Sequence, residues 1–246
     1  QFNYFLYLFC FFFSNKYFKN TNIIMEITLI IPAKNESESL PKVLDELKNF
    51  KFKTIVILKN EDKATIQSIS NYKIKIVFQD SLGYGDALIK GINSVETELF
   101  CIFNADGSFD PKEINNMSSE LINNNYDFIF SSRYEEGAGS DDDTKLTYLG
   151  NKIFTLLGKI FFKLKITDIL YTFVLGKTEK AKKLNLSSKD FRFCVELPIK
   201  AIRNNMKLKS VKSYERKRIA GKKKVNEFKD GSLILIEMVK LFFIKS

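Results

Sequence analysis

Residues 100–111, FCIFNADGSFDP, hold the side chains best suited to chemistry in this sequence. A short apolar run, residues 100–103, changes abruptly to small and polar residues that include Asn104 and Asp106. Carboxylate and amide oxygens bind hard cations such as Mg²⁺ and Mn²⁺, and these cations in turn hold substrate phosphates. The alternative is an Asx-type turn, in which Asp106 and Asp110 only bond their own backbone. Taken alone, the stretch is compatible with both.

The composition excludes several kinds of catalysis. The 246 residues include no histidine, which excludes Ser-His-Asp and Cys-His nucleophiles and histidine-based zinc sites. Cys10, Cys101 and Cys194 are isolated, so neither a disulfide framework nor a zinc ribbon is indicated, and the cytoplasm is favoured. The formal net charge of +10 indicates a polyanionic partner, which is a nucleotide, a nucleic acid or an anionic membrane. A lysine-rich solubilising surface is the alternative.

Strands that alternate with helices predict an α/β fold with a mostly parallel sheet. The pattern predicts strands at 26–31, 54–58, 74–78, 100–103 and 128–131, with helices between them. Ligands of open α/β sheets bind beyond the carboxyl ends of the strands, and Asp106 follows the fourth strand there. Neither an internal repeat nor a Pro/Gly-rich linker is present, so one catalytic domain is predicted over residues 25–229.

Both ends of the sequence are predicted to lie outside this domain. In residues 1–24 the longest apolar run has 10 residues, whereas about 20 are needed to span a bilayer. We interpret residues 1–24 as an upstream extension before a start at Met25, with a membrane-associating leader as the alternative. Residues 230–246 predict an amphipathic helix with Asp230 as its N-cap. This helix is expected to pack on the domain, on a partner or flat on a bilayer.

A second amphipathic helix is predicted over residues 145–165. Its apolar stripe is accompanied by lysines at seven-residue intervals, Lys145, Lys152 and Lys159. Such a basic helix suits the membrane–water boundary, whereas a core-packing helix with a solvated lysine face is the alternative. The two helices together predict a cytoplasmic protein held peripherally on the cytoplasmic face of the membrane.

Four motifs in a fixed order resemble glycosyltransferase family 2: PAKNESESL at the first strand, GYGDALIKGI at the third helix, NADGS after the fourth strand and SRY after the fifth. Within that family the sequence is most similar to the polyprenyl-phosphate glycosyltransferases of the dolichyl-phosphate mannose synthase type. The resemblance implies a GT-A-type, Rossmann-like fold and an inverting hexosyltransferase. It also implies a nucleotide-diphosphate sugar donor, Mg²⁺ or Mn²⁺ as cofactor and a lipid phosphate acceptor, and it leaves the oligomeric state open.

The resemblance also implies roles for individual residues. Asp106 matches the metal-binding acid of the family's Asp-x-Asp motif, with Asn104 and Ser108 as flanking metal ligands. Arg133 matches an arginine that binds the acceptor phosphate, and Asp168 matches a further catalytic acid. The positions that match donor-binding residues are Pro32, Asn35, Glu36, Gly83, Gly85, Asn104, Ala105, Arg218 and Lys224.

Some of these matches have simpler interpretations. Glu36 also suits the first turn of a helix, where the macrodipole favours an acid. The basic stretch that contains Arg218 and Lys224 also suits a solvated loop or an RNA-binding tail. Glu196 matches an acid on a late helix of the family.

Three departures from the family pattern indicate a divergent subgroup. Relatives usually end the second strand with Asp-Asp-Gly-Ser, and the first Asp contacts the nucleoside. LKNE stands here instead, so Glu61 or Asp62 is expected to make that contact. Asn104 replaces a charged ligand, which should weaken metal binding without abolishing it. The Gly-Phe-Arg element that usually follows Asp168 is missing.

The resulting hypothesis is in-line displacement at the sugar C1, with charge on the leaving diphosphate neutralised by the cation at Asp106. A lipid phosphate acceptor is already anionic and needs no strong base. A sugar hydroxyl acceptor, as in cell-surface polysaccharide synthesis, needs a carboxylate, and Asp168 or an acid from 141–143 is the candidate. Two other classes stay open: an inactive glycosyltransferase-like binding module and a basic nucleic-acid-binding protein. The second lacks a recognisable nucleic-acid motif, so no nucleic-acid partner is expected.

Overall fold

The computed structural model describes residues 25–221 and 224–244, so the predicted extension at residues 1–24 lies outside the described part. Its strands are β1 Ile27–Pro32, β2 Lys53–Leu58, β3 Lys75–Phe78, β4 Leu99–Ile102, β5 Phe128–Ser132, β6 Gly139–Ser140, β7 Val174–Lys177, β8 Leu208–Lys212 and β9 Tyr214–Glu215. The helices are α1 Leu40–Leu47, α2 Lys63–Ser68, α3 Tyr84–Ser94, α4 Glu113–Asn123, α5 Lys145–Phe162, α6 Thr178–Lys182, α7 Phe193–Arg203 and α8 Glu227–Phe243.

Seven strands form one sheet in the order β3-β2-β1-β4-β7-β5-β8. The neighbours in this sheet pair in parallel, except that β7 lies antiparallel between β4 and β5. The short strands β6 and β9 form a separate parallel pair. The predicted mostly parallel α/β sheet with flanking helices is therefore confirmed, with one antiparallel strand that the sequence pattern did not reveal.

The two faces of the sheet are covered by different helices because successive strand residues point to opposite sides. Leu29 and Ile31 of β1 pack in the layer that contains α1 and α4. Ile30 packs in the layer on the other face, with α3, α7 and α8. Strands that are buried on both faces must be apolar throughout, which explains the continuous apolar runs that made β1, β2 and β4 visible in the sequence.

The C-terminal helix begins earlier than predicted. The side chain of Asn226, not that of Asp230, caps α8, and it accepts a hydrogen bond from the backbone N–H of Lys229 at 3.0 Å. Asp230 instead accepts a hydrogen bond from the backbone N–H of Asn226 at 2.8 Å. The predicted boundary at residue 230 therefore falls inside the first turn of α8. No helix among the described residues combines the length and the apolar character that crossing a membrane requires.

Candidate active site

A cavity of about 830 Å³ opens at the carboxyl end of the parallel strands. The residues that end or directly follow successive strands line it, among them Pro32 at β1, Lys59 after β2, Gln79 after β3 and Asp106 after β4. This is the edge where ligands of open α/β sheets bind. The position of the site thus follows from the topology of the sheet.

Rings packed at both ends fix the turn that carries Asp106. Phe103 and Phe109 are fully buried on either side of it, with their ring centroids 5.8 Å apart. Phe109 also stacks on Phe173 at 4.5 Å, which ties the turn to the segment that leads into β7. A turn held in this way keeps the Asp106 carboxylate in place before any ligand arrives.

The Asx-type interpretation of this turn is present in the structure, and one oxygen of Asp106 is left outside it. Oδ1 of Asp106 accepts hydrogen bonds from the backbone N–H of Ser108 at 3.0 Å and from its hydroxyl at 2.7 Å, which forms an Asx-type turn. Oδ2 of Asp106 instead lies 3.7 Å from the guanidinium of Arg218. One carboxylate oxygen of Asp106 therefore stabilises the turn, and the other faces the Arg218 guanidinium.

Ser108 does not fit the predicted role of metal ligand. It is buried, and its hydroxyl donates to Asp106 and accepts from the amide of Asn104 at 3.3 Å. The Ser108 side chain therefore positions Asp106. Asn104 and Ala105 line the cavity beside Asp106, as predicted.

Arg218 holds two carboxylates of the cavity wall together. Its Nε donates to Oδ1 of Asp142 at 3.1 Å, its second nitrogen donates to Oδ2 of the same residue, and the first terminal nitrogen faces Asp106. The hydrogen bond to Asp142 is the largest cause that raises the pKa of this guanidinium. Arg218 therefore occupies the position next to Asp106 where a bound cation is expected.

Lys224 makes the corresponding contact on the other side of the site. Its ammonium donates to the Glu36 carboxylate and to the carbonyl of Lys34. Glu36 is buried and also accepts a hydrogen bond from the hydroxyl of Ser39 at 2.6 Å. Both cations of the predicted donor-binding loop are thus paired with acids of the predicted site.

The chemistry of this donor set fits one divalent cation of modest affinity. Within residues 25–221 and 224–244, no group of three or more His, Cys, Asp or Glu side chains could hold a metal ion. Asp106 and Asn104 would supply protein oxygens, and Mg²⁺ is commonly held by one or two carboxylates plus substrate phosphates. Binding of such a cation would therefore depend on a phosphate-bearing ligand in the cavity.

At the β2 end, the structure corrects the predicted nucleoside contact. Glu61 is exposed and does not line the cavity, whereas Asp62 does. Asp62 accepts the backbone N–H of Asn35 at 2.7 Å and caps α2 through the N–H of Thr65 at 3.3 Å. Asn35 has a left-handed φ of 53° and is not among the residues that line the cavity, so its role is to shape the loop after β1.

The glycines at the start of α3 permit close approach of a neighbouring loop. A Cβ on Gly83 would lie 2.0 Å from the carbonyl oxygen of Lys189, and one on Gly85 would lie 2.1 Å from that of Ser188. Gly83 lines the cavity and Gly85 does not. Gly85 therefore contributes packing and not the predicted direct contact with a donor.

A buried acid holds the loop that packs on these glycines. Glu196 on α7 accepts the backbone N–H groups of Ser187 at 3.0 Å and Ser188 at 2.8 Å, and it pairs with Lys200 at 2.8 Å. Burial raises the pKa of Glu196, but these partners outweigh burial, so its pKa is lowered overall. The charged Glu196 carboxylate therefore holds in place the loop that packs on Gly83 at the wall of the cavity.

Asp168 does not fit the predicted role of general base. It is fully buried and does not line the cavity. It accepts hydrogen bonds from Arg133 Nε at 2.8 Å and from another guanidinium nitrogen at 3.1 Å, and it also accepts from the amide of Asn151. A carboxylate engaged in this way positions Arg133 and has no access to a substrate proton.

Glu215 is an acid of the cavity wall that the sequence analysis missed. Its carboxylate accepts hydrogen bonds from Arg133 at 3.1 Å and from Ser140. Burial raises the pKa of Glu215 above its ordinary value, although Arg133 opposes this shift. Its only signal in the sequence is an acid within a basic stretch, SYERKR, which was interpreted as a phosphate-binding or solvated loop.

The predicted acids at 141–143 are also engaged. Asp142 binds Arg218, and Asp143 accepts the hydroxyl of Tyr134 at 2.6 Å. Among the predicted residues, those that line the cavity are Pro32, Glu36, Asp62, Gly83, Asn104, Ala105, Asp106, Arg133, Asp142, Asp143, Arg218 and Lys224.

The other end of the cavity is apolar. Leu146, Leu149 and Ile153 of α5 line it together with Phe228 and Ile234 of α8. One cavity therefore joins a charged end at the sheet to an apolar end between two helices.

This fold and cavity define an α/β protein with a charged ligand site at the carboxyl edge of its sheet. Residues 28–184 match the family model for glycosyl transferase family 2, and the chain belongs to this family.

The chain is similar to an uncharacterized glycosyltransferase of Mycobacterium tuberculosis, with 28% identity over 95 residues. That match spans 39% of this chain and only 43% of the relative. It is also similar to a dolichol-phosphate mannosyltransferase of Pyrococcus furiosus, with 24% identity over 188 residues, which is 72% of this chain and 53% of that protein.

Among solved structures, the chain resembles glucosyl-3-phosphoglycerate synthase from Mycobacterium tuberculosis in complex with Mn²⁺, uridine diphosphate and phosphoglyceric acid. The TM-score is 0.70 at 15% identity, and the match covers 90% of this chain and 80% of that one. At this identity the likeness shows the fold, which confirms the predicted GT-A-type architecture.

Proposed function

We propose that the protein is a glycosyltransferase that moves a sugar, with inversion, from a nucleotide-diphosphate sugar to a polyprenyl phosphate. The observation that carries this proposal is a cavity in which Asp106, Arg133 and Arg218 lie next to an apolar end built by α5 and α8. A charged donor and a lipid acceptor require these two environments side by side.

The charged groups suit the donor. Arg218 and Lys224 would exchange their present carboxylate partners for the donor diphosphate, and an arginine fork is well matched to phosphate oxygens. Asp106, with Asn104, would hold Mn²⁺ or Mg²⁺, which when bound supplies Lewis-acid stabilisation of the leaving diphosphate. The Mn²⁺ and uridine diphosphate in the similar solved structure support this assignment.

The acceptor is proposed from the other half of the cavity. Arg133 lines the cavity, and its guanidinium would bind an acceptor phosphate in exchange for its present contact with Glu215, while Asp168 holds it in place. The apolar end is suited to the first part of a hydrocarbon chain. A phosphate acceptor is already anionic, so the reaction needs no base, which agrees with the engagement of Asp168. The similarity to a dolichol-phosphate mannosyltransferase supports this class of acceptor.

A sugar hydroxyl is the alternative acceptor, because one acid of the cavity could serve it. Glu215 lines the cavity and has a raised pKa, as a general base requires. Glu215 is thus a further candidate beside the two from the sequence, Asp168 and an acid from 141–143. We propose that the protein acts at the cytoplasmic face of a membrane, where polyprenyl phosphates are held.

The test is an incubation of the purified protein with a panel of labelled sugar nucleotides and Mn²⁺. Polyprenyl phosphate, phosphoglyceric acid and an oligosaccharide serve as separate acceptors. We expect label in the lipid extract only with polyprenyl phosphate. Label in phosphoglyceric acid or in the oligosaccharide would overturn the acceptor assignment. Absence of donor binding in isothermal titration calorimetry would instead indicate an inactive binding module.

A further inference from the structure

Helix α5 turns a stripe of apolar residues toward solvent, although Phe162 at its end is buried against the domain. Asn151, Thr155 and Gly158 are buried against the domain. Apolar side chains spaced alternately by three and four residues point outward, each between 49% and 61% exposed: Leu146, Leu149, Ile153, Leu156 and Ile160. Single exposed leucines are common, but a contiguous stripe of them marks an interaction surface.

Helix α8 extends this stripe. The ring of Phe242 lies 5.6 Å from that of Phe161 and 6.2 Å from that of Phe162, so the two helices adjoin. The exposed apolar side chains of α8 are Phe228, Leu235, Ile236, Val239, Phe242 and Phe243. We call the exposed apolar residues of α5 and α8 together the α5–α8 face.

The charges at the α5–α8 face have mainly one sign. Helix α5 contains no acidic residue, and its lysines at 145, 152 and 159 are exposed. On α8, Glu237 is only 2% exposed and pairs with Lys240, while two further acids lie in the first turn, away from Phe242. An apolar stripe flanked by exposed lysines is typical of helices that lie in the interface of an anionic bilayer.

A second copy of the chain is a poorer match for this face. A two-fold interface places the same surface patch against itself, so the lysines of α5 would face the lysines of the other copy. Anionic lipid head groups complement those lysines. The cavity favours lipid as well, because Leu146, Leu149 and Ile153 both line the cavity and belong to the α5–α8 face.

We propose that the α5–α8 face lies flat on an anionic lipid bilayer and that the cavity opens toward the acyl chains. A phosphate carried by a lipid then reaches the neighbourhood of Asp106 while its hydrocarbon stays in the bilayer. The part of this inference that concerns the acceptor rests on the proposed function. The contact with the bilayer rests on the exposed residues alone.

The test compares vesicles of phosphatidylcholine with and without phosphatidylglycerol in a flotation assay with the full chain. We expect the wild-type protein to bind the anionic vesicles. The double variant Lys145→Gln/Lys159→Gln should lose about fivefold in affinity for each lysine. The double variant Leu156→Gln/Ile160→Gln should lose tenfold or more. All four side chains are exposed, so the fold should not be affected.

Matched controls lie on the opposite layer of the domain. Lys42→Gln/Lys112→Gln removes the same charge from exposed positions on and next to α1 and α4, and Ile122→Gln makes a comparable apolar-to-polar change on α4. We expect both controls to bind vesicles as the wild type does. Equal losses in the controls, or no binding by the wild type, would overturn the proposal. A wild-type dimer that Leu156→Gln/Ile160→Gln dissociates in analytical ultracentrifugation would assign the face to a second copy instead.

The binding of uridine diphosphate with Mn²⁺ separates this inference from the proposed function. Donor binding without vesicle binding refutes the docking surface alone. Vesicle binding that depends on the α5–α8 face, without binding of any nucleotide, leaves the docking surface standing and refutes the proposed function.

Discussion

Replacement of Glu196 by Gln tests how the wall of the donor site is held. The carboxylate is fully buried and receives two backbone N–H groups, from Ser187 and Ser188, in addition to Lys200. Gln keeps the shape but turns an NH₂ group toward one of these donors and leaves the Lys200 ammonium with only the carbonyl of Asn185, at 2.7 Å, as a partner. Breaking a buried pair costs about 3–5 kcal/mol, and since Lys200 is partly exposed we expect about 3 kcal/mol.

The pH dependence of this loss follows from the direction of the pKa shift. Burial alone would raise the pKa of Glu196, but its partners lower it overall. A carboxyl group whose folded pKa is depressed stabilises the protein fully above its unfolded pKa of about 4.3. That stabilisation is lost as the pH falls through the lower folded pKa.

Urea unfolding from pH 7 down to pH 3 measures both quantities. The difference in free energy of unfolding between wild type and Glu196→Gln should be full at pH 7 and should shrink below about pH 4. Glu179→Gln is the control, because Glu179 is exposed and pairs with Lys182 only at the surface, so stability should stay close to wild type. A difference below about 1 kcal/mol at pH 7, or one that is equal at every pH, would refute the reasoning.

Three further substitutions have expected outcomes. Gly85→Ala should lower the free energy of unfolding by about 3 kcal/mol, because its Cβ would lie 2.1 Å from a backbone oxygen. The control Gly150→Ala, whose Cβ would have nothing within 4 Å, should be neutral or stabilising in the same urea assay. Arg218→Gln should bind uridine diphosphate with Mn²⁺ more weakly than wild type in calorimetry, since it removes a guanidinium proposed to hold the diphosphate, and unchanged affinity would count against that role. Asp168→Asn should cost about 3 kcal/mol in urea unfolding by leaving the Arg133 charge partly unpaired, and a stable but inactive variant would restore the base role.

The sequence predicted β1 to β5, including β3 at an edge of the sheet, and missed β6 to β9. β1, β2 and β4 are continuous apolar segments, so periodicity and length were enough. β8 is LKSVK, at the edge of the sheet, and both of its lysines are exposed. β7 is only four residues long and contains a glycine. Their strand character comes from pairing with distant segments, which local patterns do not record.

For the candidate site, the sequence located the charged groups but not their partners. The family motifs pointed to Asp106 and Arg218, and the fold places both in one cavity. Asp142 also binds Arg218, and Asp168 is fully buried beside Arg133. Both arrangements depend on contacts between segments that are remote in the sequence. The sequence analysis missed Glu215 for the same reason. Its role depends on its burial, which comes from such contacts.

Mn²⁺-dependent binding of uridine diphosphate, compared between wild type and Asp106→Asn, tests the central claim most directly. Asn can still accept the two hydrogen bonds from Ser108, so the turn is retained while the negative charge is lost. In calorimetry, Mn²⁺ should raise the affinity of the wild type for uridine diphosphate and should have little effect on the affinity of Asp106→Asn. The same Mn²⁺ dependence in both proteins would contradict a cation site at Asp106.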